Sequence, residues 1–165
     1  MIVARIPSQL ITLARINRLD LLRRLYVSIV IPAQVHAEVA IAGAGLPGSG
    51  QVSQAVWFDV RHLSDPTALS AAQSRFGLAP GELGAILLAE ELRADLVLLD
   101  ELAARQLART KGLRVRGCVG VLEAAFRTGE LPDLRQAYAD LLRQRVYIDR
   151  DILNTSLGTF HLPPL

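Results

Sequence analysis

The sequence predicts an α/β fold built around a short parallel sheet. Short apolar segments recur along the chain, and segments of ten to fifteen residues with helical periodicity separate them. This alternation is typical of βαβ units, whose strands run parallel. One segment, "DLVLL", is apolar throughout, as expected for a central strand that is covered on both faces. No internal repeat and no second domain is evident.

The first elements alternate as this fold requires. "MIVAR" predicts a strand, and "PSQLITLARI" predicts a helix because Leu10, Leu13 and Ala14 recur at helical spacing. After a break at Asn17, "RLDLLRRLY" predicts a second helix, and "SIVI" predicts a second strand. Pro32 is expected at the first position of the next helix, "AQVHAEVAIA", since proline is tolerated there.

The middle of the chain contains a loop before the next strand. "GAGLPGSG" is rich in Gly and Pro, but it lacks the lysine and the spacing of phosphate-binding loops. "AVWFDVRHL" predicts a strand with Val56, Phe58 and Val60 on one face. "DPTALSAAQSRFG" predicts a turn and a helix, and a strong helix, "APGELGAILLAEELRA", is expected to begin after Pro80-Gly81.

The rest of the chain repeats the alternation and then becomes helical. Strands are predicted in "DLVLL" and "LRVRG", with the helix "ELAARQLARTKG" between them. Helices follow in "VGVLEAAFRTG", "PDLRQAYADLLRQR" and, as a short one, "DRDILNTSLG", and "TFHLPPL" is expected to be a tail.

Length and composition predict one soluble domain. The chain has 165 residues, of which 51% are hydrophobic and 21% charged. We expect no membrane span and no signal peptide, because neither apolar pattern is present. The lone Cys118 cannot form an internal disulfide, and no metal-binding Cys/His spacing exists. These features are those of a cytoplasmic protein.

The basic residues are almost all arginine. Only Lys111 among the 18 basic residues is a lysine. A genome rich in G and C explains such a bias, and so does a phosphate-binding surface, because the planar guanidinium group suits phosphate. Charge alone does not decide between these explanations.

Asp100 directly follows the predicted central strand. Sites in open parallel sheets form beyond the C-terminal ends of the strands, and Asp100 is expected at that end. Asp95 is expected at the opposite end as an ordinary solvated residue. The alternative role for Asp100 is to cap the helix that follows it, and the two roles are compatible.

Two further carboxylates come from different segments of the chain. Glu82 begins a helix, where the helix dipole alone would stabilise it. Glu38 is the only acid in "IPAQVHAEVAIAGAG" and falls late in a short helix, where the dipole disfavours it. It either belongs to a site or simply faces solvent. Oxygen ligands from such residues suit Mg²⁺ or Mn²⁺.

The other reactive side chains give no catalytic pattern. No triad includes His36, His62 or His161, so we expect each to be incidental. Cys118 enters a helix, where a thiolate could be stabilised, but no base can be assigned to it. We therefore expect a small packed residue.

Four segments in this order resemble the PIN-domain superfamily, in a branch related to VapC-type toxins. They are "LITLARINRLDLLRRLY", "VIPAQVHAEV", "GELGAILLAEELRADLVLLDELAARQLAR" and "LRVRGCVGVLEAAFRTGELP". The resemblance covers about residues 2 to 155. It implies a three-layer α/β/α sandwich with a short parallel sheet, forming a single PIN-like domain over residues 1–155 with a C-terminal tail over residues 156–165.

The resemblance also implies an activity and a site. The family cuts RNA with clustered acids and Mg²⁺ or Mn²⁺, and many members are toxins of toxin–antitoxin modules. Its acids correspond to Glu38, Glu82 and Asp100 here, with Glu101 beside Asp100, and Ser8 matches a nearby hydroxyl. The implied partners are RNA and a small antitoxin protein.

One acid of the family pattern is missing. The aspartate that ends the first strand in the family corresponds to Ile6 or Arg5, and neither side chain binds a divalent cation. A further acid position corresponds to Gly84. We therefore expect a weakened site, with weak or absent metal binding.

These observations leave three function classes open. The first is a metal-dependent ribonuclease, expected to act as a toxin. The second is a degenerate PIN domain that binds RNA or an antitoxin without cutting. The third, a small-ligand module of receiver type, lacks the expected acid pair. The apolar segment "RINRLDLLRRLY" further suggests a homodimer contact or an antitoxin groove, unless it covers the sheet.

Overall fold

The computed structural model describes residues 2–4, 7–39, 45 and 47–165, with residues 2–4, 7 and 8 described by their backbone only. Within these residues five parallel strands form one sheet in the order β3-β2-β1-β4-β5. The strands are β1 (Ile2–Ala4), β2 (Ile29–Pro32), β3 (Asp59–Arg61), β4 (Leu96–Leu98) and β5 (Val115–Arg116). The predicted parallel sheet is confirmed.

Helices connect the strands and complete the chain. They are α1 (Pro7–Arg15), α2 (Asp20–Leu25), α3 (Ala33–Ala37), α4 (Ser49–Ser53), α5 (Pro66–Phe76), α6 (Pro80–Glu91), α7 (Leu102–Thr110), α8 (Cys118–Arg127), α9 (Leu134–Arg143) and α10 (Arg150–Thr159). No helix in the described part of the chain is long and apolar enough to cross a membrane.

The strands separate two apolar cores. Alternate residues of a strand point to opposite faces of the sheet. Leu96 and Leu98 of β4 therefore join a core with α1, α2, α4, α8, α9 and α10. Val97 and Leu99 join a second core with α6 and α7, against which Leu69 of α5 also packs. The sandwich of helices, sheet and helices is the predicted three-layer α/β/α architecture.

The strand order creates a switch point between β1 and β4. From β1 the chain moves outward to β2 and β3, and it then returns to the other side of β1 for β4 and β5. Crevices in open α/β sheets form at such a point, outside the carboxyl ends of the strands. The sheet therefore favours a site where β1 and β4 end.

The segment before β3 differs from its prediction. The alternation in "AVWFDVRHL" suggested a long strand, but β3 contains only Asp59–Arg61. The residues before it form turns, with the Ala55 N–H donating to the Val52 carbonyl, and Val56 is almost fully exposed. The predicted strand face of Val56, Phe58 and Val60 is wrong, because only Val60 belongs to β3. Val56 lies exposed in the turns, Phe58 packs against the first core, and β3 is exposed at all three residues.

Smaller differences concern helix starts and a missed helix. Pro32 ends β2 and precedes α3, rather than occupying its first turn. Helix α6 begins at Pro80 itself. Helix α4 was not predicted, because its five residues follow a loop rich in Gly and Pro. Parts of that loop, residues 43, 44 and 46, lie outside the described residues.

The C-terminal residues pack against the domain. The predicted boundary at residue 155 falls inside α10, whose Leu157 is buried in the first core. The Arg135 side chain donates two hydrogen bonds to the Pro164 carbonyl, at 3.1 and 2.9 Å. The Leu165 N–H donates to Asn154 Oδ1 at 2.8 Å. These contacts hold the end of the chain on α9 and α10.

Candidate active site

Asp100 lies where the sequence predicts it, at the carboxyl end of β4. Leu98 and Leu99 before it are buried, and the Leu99 N–H donates to the Arg116 carbonyl of β5 at 3.0 Å. The Asp100 side chain itself is exposed. Asp95, at the opposite end of the same segment, is also exposed, as expected. Burial of β4 on both faces thus fixes the backbone from which Asp100 projects.

The helix that Asp100 caps is not the one that follows it. Glu101 is the N-cap of α7, and its Oε2 accepts the Ala104 N–H at 2.9 Å. Asp100 Oδ1 instead accepts the N–H of Cys118, the first residue of α8, at 2.7 Å. The first N–H groups of a helix have no partner within the helix, so this carboxylate satisfies one and faces the positive end of the α8 dipole.

Glu82 is buried at the start of α6. Its relative exposure is 6%, and its Oε2 accepts the Ala79 N–H, just before the helix, at 3.1 Å. The side chain therefore performs the reciprocal half of a capping box. This local role accounts for a glutamate at this position, as the sequence suggested.

Glu38 lies directly after α3 and is exposed. Its backbone N–H donates to carbonyls of α3, so Glu38 closes the helix at its negative end. Helix α6 packs beside this region, since a Cβ added at Gly84 would lie 3.8 Å from Pro32 Cβ and 3.9 Å from Gln34 Oε1. Glu38 and Glu82 thus come from neighbouring elements.

Asp100 is separated from the β2 side of the sheet by β1. Strands lie about 4.8 Å apart, so β2 and β4 are roughly 10 Å apart on either side of β1. Arg5 and Ile6, which follow β1 in the chain, lie outside the described residues, and Ser8 is described only as a backbone position in α1. Among the described residues, no group of three or more His, Cys, Asp or Glu side chains could hold a metal ion.

A cavity of about 910 Å³ opens beside Asp100. Four arginines from four different elements or loops contribute to its lining, namely Arg15, Arg105, Arg116 and Arg145. Its acidic residues are Asp100, Glu123 and Asp149. Guanidinium groups on several sides of a cavity suit the phosphates of a polyanion.

Sequence reasoning missed these arginines for two reasons. Arg116 ends β5 beside Asp100, so the rule that selected Asp100 could also have selected it. Arg145 follows α9, more than forty residues beyond Asp100 in the chain, and only tertiary packing brings its loop to the cavity.

A buried hydrogen-bonded chain leads from α9 to the cavity. The Ser156 hydroxyl donates to Glu123 Oε1 at 2.6 Å, and the Tyr138 hydroxyl lies 2.6 Å from Ser156 Oγ. Because Ser156 has a single proton, Tyr138 donates to it. Burial raises the pKa of Tyr138, and the hydrogen bond with Ser156 only partly opposes this change. The chain fixes Glu123 at the cavity wall.

Cys118 is packed, as the sequence predicted, and the histidines lie away from the cavity. Cys118 is 2% exposed, and burial, followed by the nearby Asp100 charge, raises the pKa of its thiol. A protonated thiol of this kind is a packing residue and not a nucleophile. His36 is half-buried, His62 and His161 are exposed, and none of the three lines the cavity.

Comparison with protein-family models decides the family. A model described as a PIN domain matches residues 7–161. The chain belongs to the PIN-domain family. No curated protein and no solved structure matches it.

Family membership gives the sheet edge a functional meaning. The PIN domain has a nuclease-like fold, and the family match covers every element from α1 to α10. The carboxyl edge at β1 and β4, with Asp100 and the arginine-lined cavity, is therefore the candidate active site of this PIN domain.

Proposed function

We propose that this PIN domain is a ribonuclease that depends on Mg²⁺ or Mn²⁺ and has a weakened site. Glu38, Glu82 and Asp100 are its proposed catalytic and metal-binding carboxylates, with Ser8 and Glu101 as additional candidates. The observation that carries the proposal is the position of Asp100. It lies at the switch point of a PIN-domain sheet, beside a cavity lined by four arginines.

The proposed ligands are of the type that a hard cation binds, but there are too few of them. Carboxylate oxygens are ligands that Mg²⁺ and Mn²⁺ accept. However, one oxygen each of Glu82 and Asp100 already accepts a backbone N–H, and the described residues include no group of three ligands. The missing first-strand aspartate agrees with this shortage. We therefore expect weak metal binding and derive no catalytic step through the ion.

We expect the cavity arginines to be the groups of this chain that bind RNA. Their guanidinium groups can bind the phosphate backbone on several sides of the cavity, and this binding needs no metal. Asp100 at the cavity wall faces the bound strand. The geometry thus supports RNA binding more strongly than it supports hydrolysis.

The toxin role of a toxin–antitoxin module remains part of this proposal. It rests on the resemblance to VapC-type proteins and implies a small antitoxin as partner in the cytoplasm. The segment first considered for that partner, or for a homodimer, packs inward, because Leu19, Leu21 and Leu22 are buried in the first core. The exposed part of α2 offers Arg23 and Arg24 instead of an apolar patch.

A second candidate function is RNA binding without cleavage. The observation that favours it is that Glu82 and Asp100 each accept a backbone N–H at the start of a helix, from Ala79 and Cys118 respectively. A carboxylate used to cap a helix has a structural role that persists after catalysis is lost.

An RNA cleavage assay separates the two functions. We expect the unmodified protein to cut a labelled single-stranded RNA slowly with Mn²⁺ and not with EDTA. Because the charge stabilisation that a metal site supplies is worth several kcal/mol, Asp100→Asn should lower the rate by at least about a hundredfold. The matched control is Asp95→Asn, at the opposite end of the same segment, and it should cut normally.

Restoring the missing acid gives the complementary test. Ile6→Asp or Arg5→Asp should raise Mn²⁺-dependent cleavage if the site lacks one carboxylate. Equal rates for Asp100→Asn and the unmodified protein would contradict the ribonuclease proposal. RNA binding with no cleavage, unchanged in the Ile6→Asp and Arg5→Asp variants, would establish the binding function instead.

A further inference from the structure

The loop between α9 and α10 is held firmly against the domain. The Arg145 N–H donates to the Leu142 carbonyl, and the Val146 N–H donates to the Leu141 carbonyl, both at 3.0 Å. Val146 and Ile148 pack against the first core. Asp149 then caps α10 by accepting the Asp151 N–H at 2.9 Å. Alternate residues of the loop are therefore fixed inward.

The residues between these anchors point outward and line the cavity. Tyr147 is fully exposed, and both it and Arg145 contribute to the cavity wall. Arg145 has a φ of 53°, as is common for the residue after the C-cap in a helix end with these hydrogen bonds. An aromatic ring and a guanidinium group are thus displayed together on a fixed loop, although neither stabilises the core.

Within the described part of the chain the cavity arginines form no ion pairs, although Asp100, Glu123 and Asp149 line the same cavity. Arg116 donates to the Tyr26 hydroxyl at 2.9 Å, and Arg15 donates to the Gln144 carbonyl, so both bonds have neutral acceptors. The Arg105 Nε is buried with no hydrogen-bond partner in the described part of the chain. These groups complement an anion.

We propose that Tyr147 and Arg145 hold one unpaired nucleotide of the RNA at the mouth of the cavity, with the base stacked on the Tyr147 ring and a phosphate bound to Arg145. This inference rests on the proposed function and specifies the substrate as single-stranded at this point. Bases within a duplex are already stacked, whereas unpaired bases stack on exposed aromatic side chains.

The test is RNA binding measured by fluorescence anisotropy in EDTA, where cleavage cannot interfere. The probe is a labelled single-stranded oligoadenylate of eight nucleotides. Tyr147→Ala should weaken binding by about tenfold to a hundredfold, because loss of one base–aromatic stack lowers affinity by about this factor. Tyr147→Phe keeps the ring and should bind normally. The matched control, Phe76→Ala, removes a partly exposed ring on α5 and should have no effect.

The contribution of Arg145 is measured separately, by the salt dependence of RNA binding. Each phosphate contact on a single strand contributes about −0.7 to the slope of log K against log salt. Arg145→Gln should make that slope less negative by about this amount, whereas Tyr147→Ala should leave it unchanged. A purely structural defect in the loop would not separate the two variants in this way.

The outcomes distinguish this inference from the proposed function. If the unmodified protein binds the oligonucleotide and Tyr147→Ala binds equally well, the stacking inference is wrong and the proposed function stands. If the unmodified protein neither binds nor cuts RNA, the proposed function fails and this inference fails with it. A blunt RNA duplex that competes as strongly as the single strand would also overturn the inference.

Discussion

At the scale of single residues, the contact between Asp100 and Cys118 joins the candidate site to the fold. The carboxylate projects from the end of β4 and accepts the first N–H of α8. Gly117 lies directly beneath it, since a Cβ added there would be 2.8 Å from Asp100 Oδ1. Gly117 has an ordinary extended backbone, so the space below the carboxylate and not the backbone conformation requires a glycine.

We expect Gly117→Ala to displace the Asp100 carboxylate and to lower stability by about 1 kcal/mol, the usual cost of losing a cap. The added methyl carbon would lie 2.8 Å from Oδ1, too close for a non-bonded contact, so the carboxylate has to shift and its bond to the Cys118 N–H is weakened. Urea unfolding measures the loss. The matched control is Gly158→Ala in α10, where an added Cβ meets nothing within 4 Å. An unchanged free energy of unfolding for Gly117→Ala would contradict this account.

At the scale of elements, three helices are joined beneath the cavity by one polar chain. Tyr138 belongs to α9, Ser156 to α10 and Glu123 to α8. The rest of this interface is apolar, with Leu122, Leu141 and Leu153 fully buried in the same core. Buried polar groups in such surroundings are costly unless each has a partner, so the chain depends on its central hydroxyl.

Removal of that central hydroxyl should therefore cost more than removal of the terminal one. Ser156→Ala leaves the Tyr138 hydroxyl and Glu123 without their partner, and we expect a loss of about 1–3 kcal/mol. Tyr138→Phe leaves the Ser156–Glu123 bond intact and should cost about 1 kcal/mol. Thermal or urea unfolding of the two variants shows which of them loses more stability. Equal or reversed losses would show that the chain does not act through Ser156.

At the scale of the whole molecule, two buried groups make stability depend on pH in the alkaline range. The thiol of Cys118 and the hydroxyl of Tyr138 both have raised pKa values, because the folded protein opposes their ionisation. A group with a raised pKa stabilises the fold fully below its unfolded pKa. That contribution decreases at higher pH, because the unfolded chain ionises while the folded chain does not.

For Cys118 the decrease begins near pH 9, the ordinary pKa of its thiol. We expect the free energy of unfolding to fall by about 1 kcal/mol between pH 7 and pH 9.5, before Tyr138 ionises in the unfolded chain. Cys118→Ala removes the titrating group, so its stability should vary less over this range, whatever its absolute value. If stability depended on pH equally in the Cys118→Ala variant and in the unmodified protein, another group would be responsible.

The sequence by itself determined the fold class and the position of one site residue. Apolar segments such as "DLVLL" alternate with amphipathic helices, and this local pattern specifies a parallel sheet because burial is encoded residue by residue. Asp100 follows the predicted strand "DLVLL" without an intervening residue, so its place at the sheet edge needed no tertiary information. The alternation in "AVWFDVRHL" misled at Val56, which lies in the turns before β3, since alternation alone does not report hydrogen-bonded partners.

Only the tertiary structure decided which groups surround Asp100. Its partner Cys118 and the cavity residues Arg15 and Arg145 come from elements or loops distant in the chain, and no spacing in the sequence relates them to Asp100. The fully exposed Tyr147 lies in the same cavity as Asp100 only because the loop after α9 lines it together with β5 and α8. Local periodicity records whether a residue is buried, whereas the meeting of distant residues depends on how the layers pack around the sheet.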